Sequence, residues 1–308
     1  MGASLQYTLW KRTACLIAIA CFGPTAWADQ EQVVAGGPPM RPFFVELRYT
    51  PSETFRADFK DAPGRVTVQH HDVSGTLMIP LSRRSRFNVT LSRDRHAYRF
   101  RDNDLLAGTL EEVHETSVGA AYMGPLNEDW SIFGMGRIRW AAERGASRSD
   151  GRMQSGMFMF QREWLDGVIL GVGAMAASRL DEDPLVIPTA SIDWQITERW
   201  RFRTMRGVHL FYQLDEAGKW EAGLNSEYHS RYVRMHRNGI APDGVFRSRL
   251  IASTLSLAYR PNPGVTLGAE AGFIPWRKIT IRDGDGDTVF QSKTDAGYSA
   301  AFTARMLF

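Results

Sequence analysis

Cysteine is almost missing from this chain: its 308 residues hold two, Cys15 and Cys21, both near the N-terminus. A disulfide-stapled fold and a thiolate metal site both need cysteines farther along, so neither can be built beyond residue 21. Also missing, after residue 28, is an apolar run long enough to cross a bilayer as a helix. No convincing amphipathic helical period replaces it, and mean hydropathy is only −0.28. An excess of one charge is missing as well. Lys and Arg number 37 against 34 Asp and Glu. Setting aside residues 1–28, which carry Lys11, Arg12 and no acid, leaves 35 against 34. So even a balance lacks the basic stripe of a nucleic-acid binder, and no nucleic-acid partner is expected. No cofactor is expected either.

What is present is alternation. In residues 288–308, taken in steps of two, Phe290, Ala296, Tyr298, Ala300, Phe302, Ala304, Met306 and Phe308 fall on one face. Between them stand Gln291, Lys293, Asp295, Ser299, Thr303 and Arg305. A period of two is that of a β-strand with one apolar and one polar face. The stretch is far longer than the usual strand of about five or six residues. Shorter runs of the same kind recur from Phe43 onward, for example Val73–Leu81 and Val265–Phe273, with turn residues between them. Many strands at short spacing mean a sandwich or a barrel.

The terminal stretch resembles the last strand of bacterial outer-membrane β-barrel proteins, in which alternating apolar residues and a final aromatic are recognised by the barrel assembly machinery. The resemblance implies an assembly signal at Phe302, Met306 and Phe308. It also implies outer-membrane lipid and lipopolysaccharide as partners. The start of the chain agrees. Lys11 and Arg12 precede the apolar run 13–22, which ends at Ala26-Trp27-Ala28. That is the plan of a secretory signal peptide, with cleavage after Ala28. Lipid attachment at Cys21 is the second reading, with Ala18 where such a site prefers Leu. Residues 29–42, with Gly36-Gly37-Pro38-Pro39 and Pro42, read as a periplasmic N-terminal arm. Residues 43–308 are then the barrel domain.

The fold class expected is all-β: a transmembrane antiparallel up-and-down β-barrel in the outer membrane. Connections alternate between tight turns, such as 82–85 and 197–199, and longer polar loops, such as 101–108 and 236–245, as in such barrels. Aromatics (Trp130, Trp164, Trp194, Trp200, Trp220 and Tyr259) gather at the tight-turn ends, where an interfacial girdle belongs. An even strand number requires splitting residues 200–214 near Arg206-Gly207-Val208, which gives about fourteen strands. Twelve, with a pair merged, is the alternative.

The face opposite the apolar one lines the interior. The residues so placed are Glu46, Arg48, Asp72, Asp94, Arg137, Arg139, Asp193, Arg201, Arg203, Glu221, Glu227, His229, Arg231, Glu270, Lys293, Asp295 and Arg305. A wall of both signs needs water or internal partners. It fits either a water-filled pore for small solutes or a closed network of ion pairs in a structural or adhesive envelope protein. A third reading is enzymatic. Tyr228-His229-Ser230-Arg231 is similar to the sites of outer-membrane lipases and deacylases. It departs from their His-x-Ser spacing, and adjacent strand residues point to opposite faces. For metal, Asp283, Asp285 and Asp287 alternate as in calcium loops but lack the closing Glu, so a solvated hairpin loop is preferred. His70-His71-Asp72 reads as a rim segment, because neighbours on a strand diverge.

Overall fold

The computed structural model describes residues 43–308. The signal peptide, the lipidation alternative and the arm at 29–42 lie outside the described residues. Strands form wherever the period-two pattern runs. β1 (Phe44–Asp58), β2 (Arg65–Pro80), β3 (Arg86–Arg101), β4 (Val113–Pro125) and β5 (Trp130–Glu143) make the first part of the wall. A 3₁₀ turn at Ser149–Gly151 leads into β6 (Arg152–Leu165), β7 (Val168–Ala177) and β8 (Leu185–Gln195). Two short strands follow, β9 (Trp200–Arg203) and β10 (Gly207–Gln213). The wall is completed by β11 (Trp220–Arg234), β12 (Val245–Asn262), β13 (Val265–Arg282), β14 (Thr288–Lys293) and β15 (Gly297–Leu307).

From β1 to β14 each strand pairs antiparallel with the next, and β15 pairs with both β13 and β1, so the sheet closes on itself. Strands β14 and β15 both lie against β13 and form one interrupted stave. The barrel therefore has fourteen staves. Closure leaves no sheet edge at the seam, and backbone groups are satisfied within the wall. Residues 200–214 do split in two, with the hairpin tip at residues 204–206. Both ends of the barrel domain lie at the tight-turn end.

Apolar side chains face outward through the middle of the wall. Leu255 is 62% exposed and Phe302 45%. Trp164, Trp194, Trp200 and Trp220 are exposed near the tight turns, with Trp220 stacked on Tyr259 at 4.4 Å. A sheet with water on neither face would not leave these uncovered; a barrel in lipid does.

The last stave departs from the sequence expectation. Residues 288–308 do not keep one register of faces. The break at residues 294–296 removes the strand pattern between β14 and β15 and exchanges the two faces. Phe290, Ser292 and Thr294 are buried on the inside, whereas below the break Tyr298, Phe302 and Met306 are outside. Lys293 and Asp295 are consequently exposed and do not line the interior; Asp295 pairs with Lys60 in solvent. A bulge in β13 against Ile251–Ser253 does the same there, so Ile274 and Arg277 both point inward. One inserted residue exchanges every face beyond it.

Candidate functional site

The barrel interior falls into three zones. At the long-loop end it is apolar and dry. Val66, Val68, Tyr98, Val113, Val233, Phe246, Ile279 and Ile281 pack together inside the wall, and Leu106, Leu110 and Ala241 descend from two long loops to join them. Most of these side chains are fully buried. The carboxylate of Glu143 holds both loops, accepting the Leu110 N–H at 2.7 Å and the His236 N–H at 2.9 Å. This mouth is shut.

The shutting is tied to the short hairpin. β9 and β10 stop at residues 203 and 207, and β11 runs on past them to Arg234, toward the end of β5. The two meet in a parallel bridge, Ala142 to Arg234. The loop at 178–184 leans across, with Asp181 3.1 Å from Arg282 and Glu182 against Arg247. The hairpin tip turns inward. Met205 packs on an apolar inner patch of Ala121, Phe133, Met157, Met159, Met175 and Ile187. Arg206 lines a small pocket together with Arg137, Ser92 and Ser117. The patch explains why residues 153–160 are apolar on both faces.

The middle zone is ionic, and strand alternation puts it there. Glu115 is its hub. Arg139, Arg231 and Arg137 lie 3.5, 3.7 and 3.8 Å from its carboxylate. Glu46 takes Arg305 at 2.9 Å and Arg48 at 3.4 Å. Asp193 takes Arg201 through two hydrogen bonds of 2.8 Å and Arg203 at 3.2 Å. Glu227 faces His229 at 3.5 Å and His209 at 3.8 Å. Glu270 and Glu221 face inward as well, the latter 3.4 Å from Arg260. Neither Glu115 nor Arg206 was expected from sequence. Glu115 precedes Val118 and Ala120 in a stretch without apolar alternation, and it has the parity opposite to theirs, which is the one signal that puts it on the inner face.

The third zone is a cavity of about 540 Å³ at the tight-turn end. Its charged lining is lopsided: Arg199, Arg201, Arg203, Lys219, Arg260 and Arg305 against Glu198 and Glu221. Asp193, Glu46 and Glu216 pair with Arg201 and Arg203, Arg305 and Arg199 from outside this lining, so the surface presents guanidiniums whose charge is largely matched.

The remaining sequence motifs resolve differently. His229 and Ser230 sit on opposite faces of β11, and His229 turns to Glu227, so no serine–histidine couple is assembled. Asp283 caps its own loop, its Oδ1 accepting the N–H groups of Asp285 and Asp287 at 3.1 and 2.9 Å. His70 and Asp72 are not at a rim. They are two apart, so both point inward, while His71 alone points out, stacked on Tyr49.

Comparison with solved structures places this architecture among outer-membrane barrels. The COG4313 outer membrane channel from Pseudomonas putida F1 is 9% identical, with a TM-score of 0.51, and the alignment covers 92% of this chain and all of that one. A Pseudomonas aeruginosa FadL homologue is 10% identical, with a TM-score of 0.43 and coverage of 86% and 89%. The translocator domain of the autotransporter NalP from Neisseria meningitidis is 7% identical, with a TM-score of 0.41 and coverage of 87% and 89%. At these identities the likeness is one of fold. No curated protein matches the sequence. Residues 42–308 match the family model described as "Domain of unknown function (DUF6268)", and the chain belongs to that family.

Proposed function

We propose that the chain is a passive outer-membrane channel that admits small solutes and favours anions. The observation that carries this reading is the guanidinium-lined cavity at the tight-turn end, which faces the periplasm when the barrel is oriented as such barrels are. The description of the Pseudomonas putida relative as a channel agrees with it. The hairpin tip at 204–206 is the constriction between the cavity and the upper interior. The inward residues Glu46, Arg48, Arg137, Arg139, Asp193, Arg201, Arg203, Glu221, Glu227, His229, Arg231, Glu270 and Arg305 are the solute-facing wall. In planar bilayers the purified barrel should pass chloride in preference to potassium. Arg201→Gln combined with Arg203→Gln should cut that preference at least threefold and leave insertion intact. A barrel that inserts but conducts no ions would overturn the channel reading.

The apolar plug at the other end favours a second reading, a closed envelope protein without transport. The same bilayer experiment separates the two.

Delivery to the membrane belongs to the proposal too: a leader cleaved after Ala28, then folding by the barrel assembly machinery into lipid and lipopolysaccharide. Phe302, Met306 and Phe308 all project outward at the end of the last stave, where an assembly factor can read them. Deleting Phe308 should lower the heat-modifiable, membrane-assembled form severalfold at unchanged synthesis. Equal assembly of the deletion would remove Phe308 from the signal.

A further inference from the structure

Just below the apolar plug, β2 and β3 bring four inward side chains together in two directly opposed pairs. His70 faces His96, and Asp72 faces Asp94. The imidazole rings stack with centroids 4.0 Å apart. His70 Nε2 lies 2.9 Å from Asp94 Oδ1, and its other nitrogen, Nδ1, is 3.4 Å from the Ser52 hydroxyl of β1. His96 is completely buried, yet neither of its ring nitrogens has a hydrogen-bond partner. The carboxyl of Asp72, also buried, meets only the Asp94 carboxyl and accepts from no N–H or hydroxyl donor. A buried polar atom left without a partner costs about 1–3 kcal/mol, so a histidine with two such atoms beside two carboxylates calls for a species that satisfies them together.

One donor atom from each of His70, Asp94 and His96 lies within 4.8 Å of the other two, the one such group of three or more His, Cys, Asp or Glu found among the described residues. Around a tetrahedral zinc ion, with bonds of about 2.0–2.2 Å, donors sit roughly 3.3–3.5 Å apart. Loading would draw the three donors together by rotation of their side chains. The neighbouring guanidiniums of Arg137, Arg139 and Arg231 make their ion pairs with Glu115, and none makes an ion pair with the quartet. Ser52 on the far nitrogen of His70 supplies the outer contact that ligating histidines usually have, fixing the ring so that Nε2 faces the ion.

We propose that His70, Asp94 and His96 bind a divalent first-row transition ion, with Zn²⁺ as the fitting case. Two imidazoles and a carboxylate suit that class, not the all-oxygen coordination of Ca²⁺ or Mg²⁺. Asp72, one pair farther along, is a positioning residue that balances the second positive charge and holds the water completing the shell. The ion would pin β2 to β3 at the floor of the plug. The proposal stands whether or not the barrel conducts.

The test uses the folded barrel in detergent, stripped with a chelator and titrated with Zn²⁺, bound metal being counted after desalting. The wild type should retain one Zn²⁺ per chain, and its unfolding midpoint should rise on loading. His96→Ala and His70→Ala should each weaken binding at least a hundredfold, and Asp72→Asn about tenfold. Asp283→Asn combined with Asp285→Asn and Asp287→Asn should change nothing. Should the histidine variants fail to fold, Co²⁺ loading of the wild type decides: the intense visible bands of a four-coordinate site support the proposal, and the weak bands of a six-coordinate aqueous ion overturn it. Failure of the wild type to retain zinc, or unchanged retention in folded His96→Ala, overturns it as well.

Discussion

Phe302→Arg is expected to leave almost no assembled barrel. Phe302 points into the lipid from β15, opposite Ala269 of β13, and no inward partner can reach it there. An arginine on the lipid face costs about 2–4 kcal/mol near the midplane. That is a roughly thirtyfold to several-hundredfold shift in the insertion equilibrium. Glu227→Gln, on the inner face of β11, should insert as the wild type does, because Glu227 loses charge but keeps a hydrogen-bonding amide beside His209 and His229. The measurement is the heat-modifiable fraction in membranes for both variants. Equal damage from the two would mean that the faces are interchanged.

The second large effect is expected at Glu115. Its carboxylate is nearly fully buried and lies within 3.8 Å of three guanidiniums. Glu115→Ala leaves Arg137, Arg139 and Arg231 facing one another in a low-dielectric interior. Removing one partner from a buried ion network typically costs about 3–5 kcal/mol, because the surviving charges stay uncompensated. An exposed pair behaves otherwise. Glu216, in solvent at 3.1 Å from Arg199, should lose no more than about 1 kcal/mol on substitution by alanine. Urea unfolding of the refolded barrels in detergent compares the two. A cost at Glu115 no larger than at Glu216 would show the interior to be wet enough to screen its charges.

Much of this architecture was legible in the chain. A two-residue period, tight turns alternating with long loops and a terminal aromatic strand were enough for a closed sheet of about fourteen strands. Parity alone also put Glu46, Arg137, Arg203 and Arg305 on one side of the wall. Where parity is interrupted, the reading failed. The break at 294–296 moved Lys293 and Asp295 outside, and nothing in TDA distinguishes a break from a continuing strand. The apolar plug was hidden for a related reason. Val66, Val233 and Ile281 are inward residues at the long-loop end, where an apolar side chain no longer signals lipid. The grouping of His70 with His96 depends on the register between β2 and β3, a fact about two strands that a single run of residues does not contain. Read along one strand, His70-His71-Asp72 offers neighbours that diverge; read across two, it supplies half of a quartet.

The seam between the first and last staves has a consequence for how the molecule comes into being. Glu46 and Arg305 meet across it although 259 positions separate them along the chain. Every other stave touches a neighbour close in sequence, so the rest of the wall can grow as a ribbon from local hairpins, each closing a short loop at small entropic cost. The contacts of Asp193 link strands already adjacent on such a ribbon, whereas Glu115–Arg231 crosses the lumen from β4 to β11 once the ribbon curls. The Glu46–Arg305 contact exists only after the ribbon has become a cylinder. With Lys60–Asp295, which spans the same seam, it marks the moment of closure.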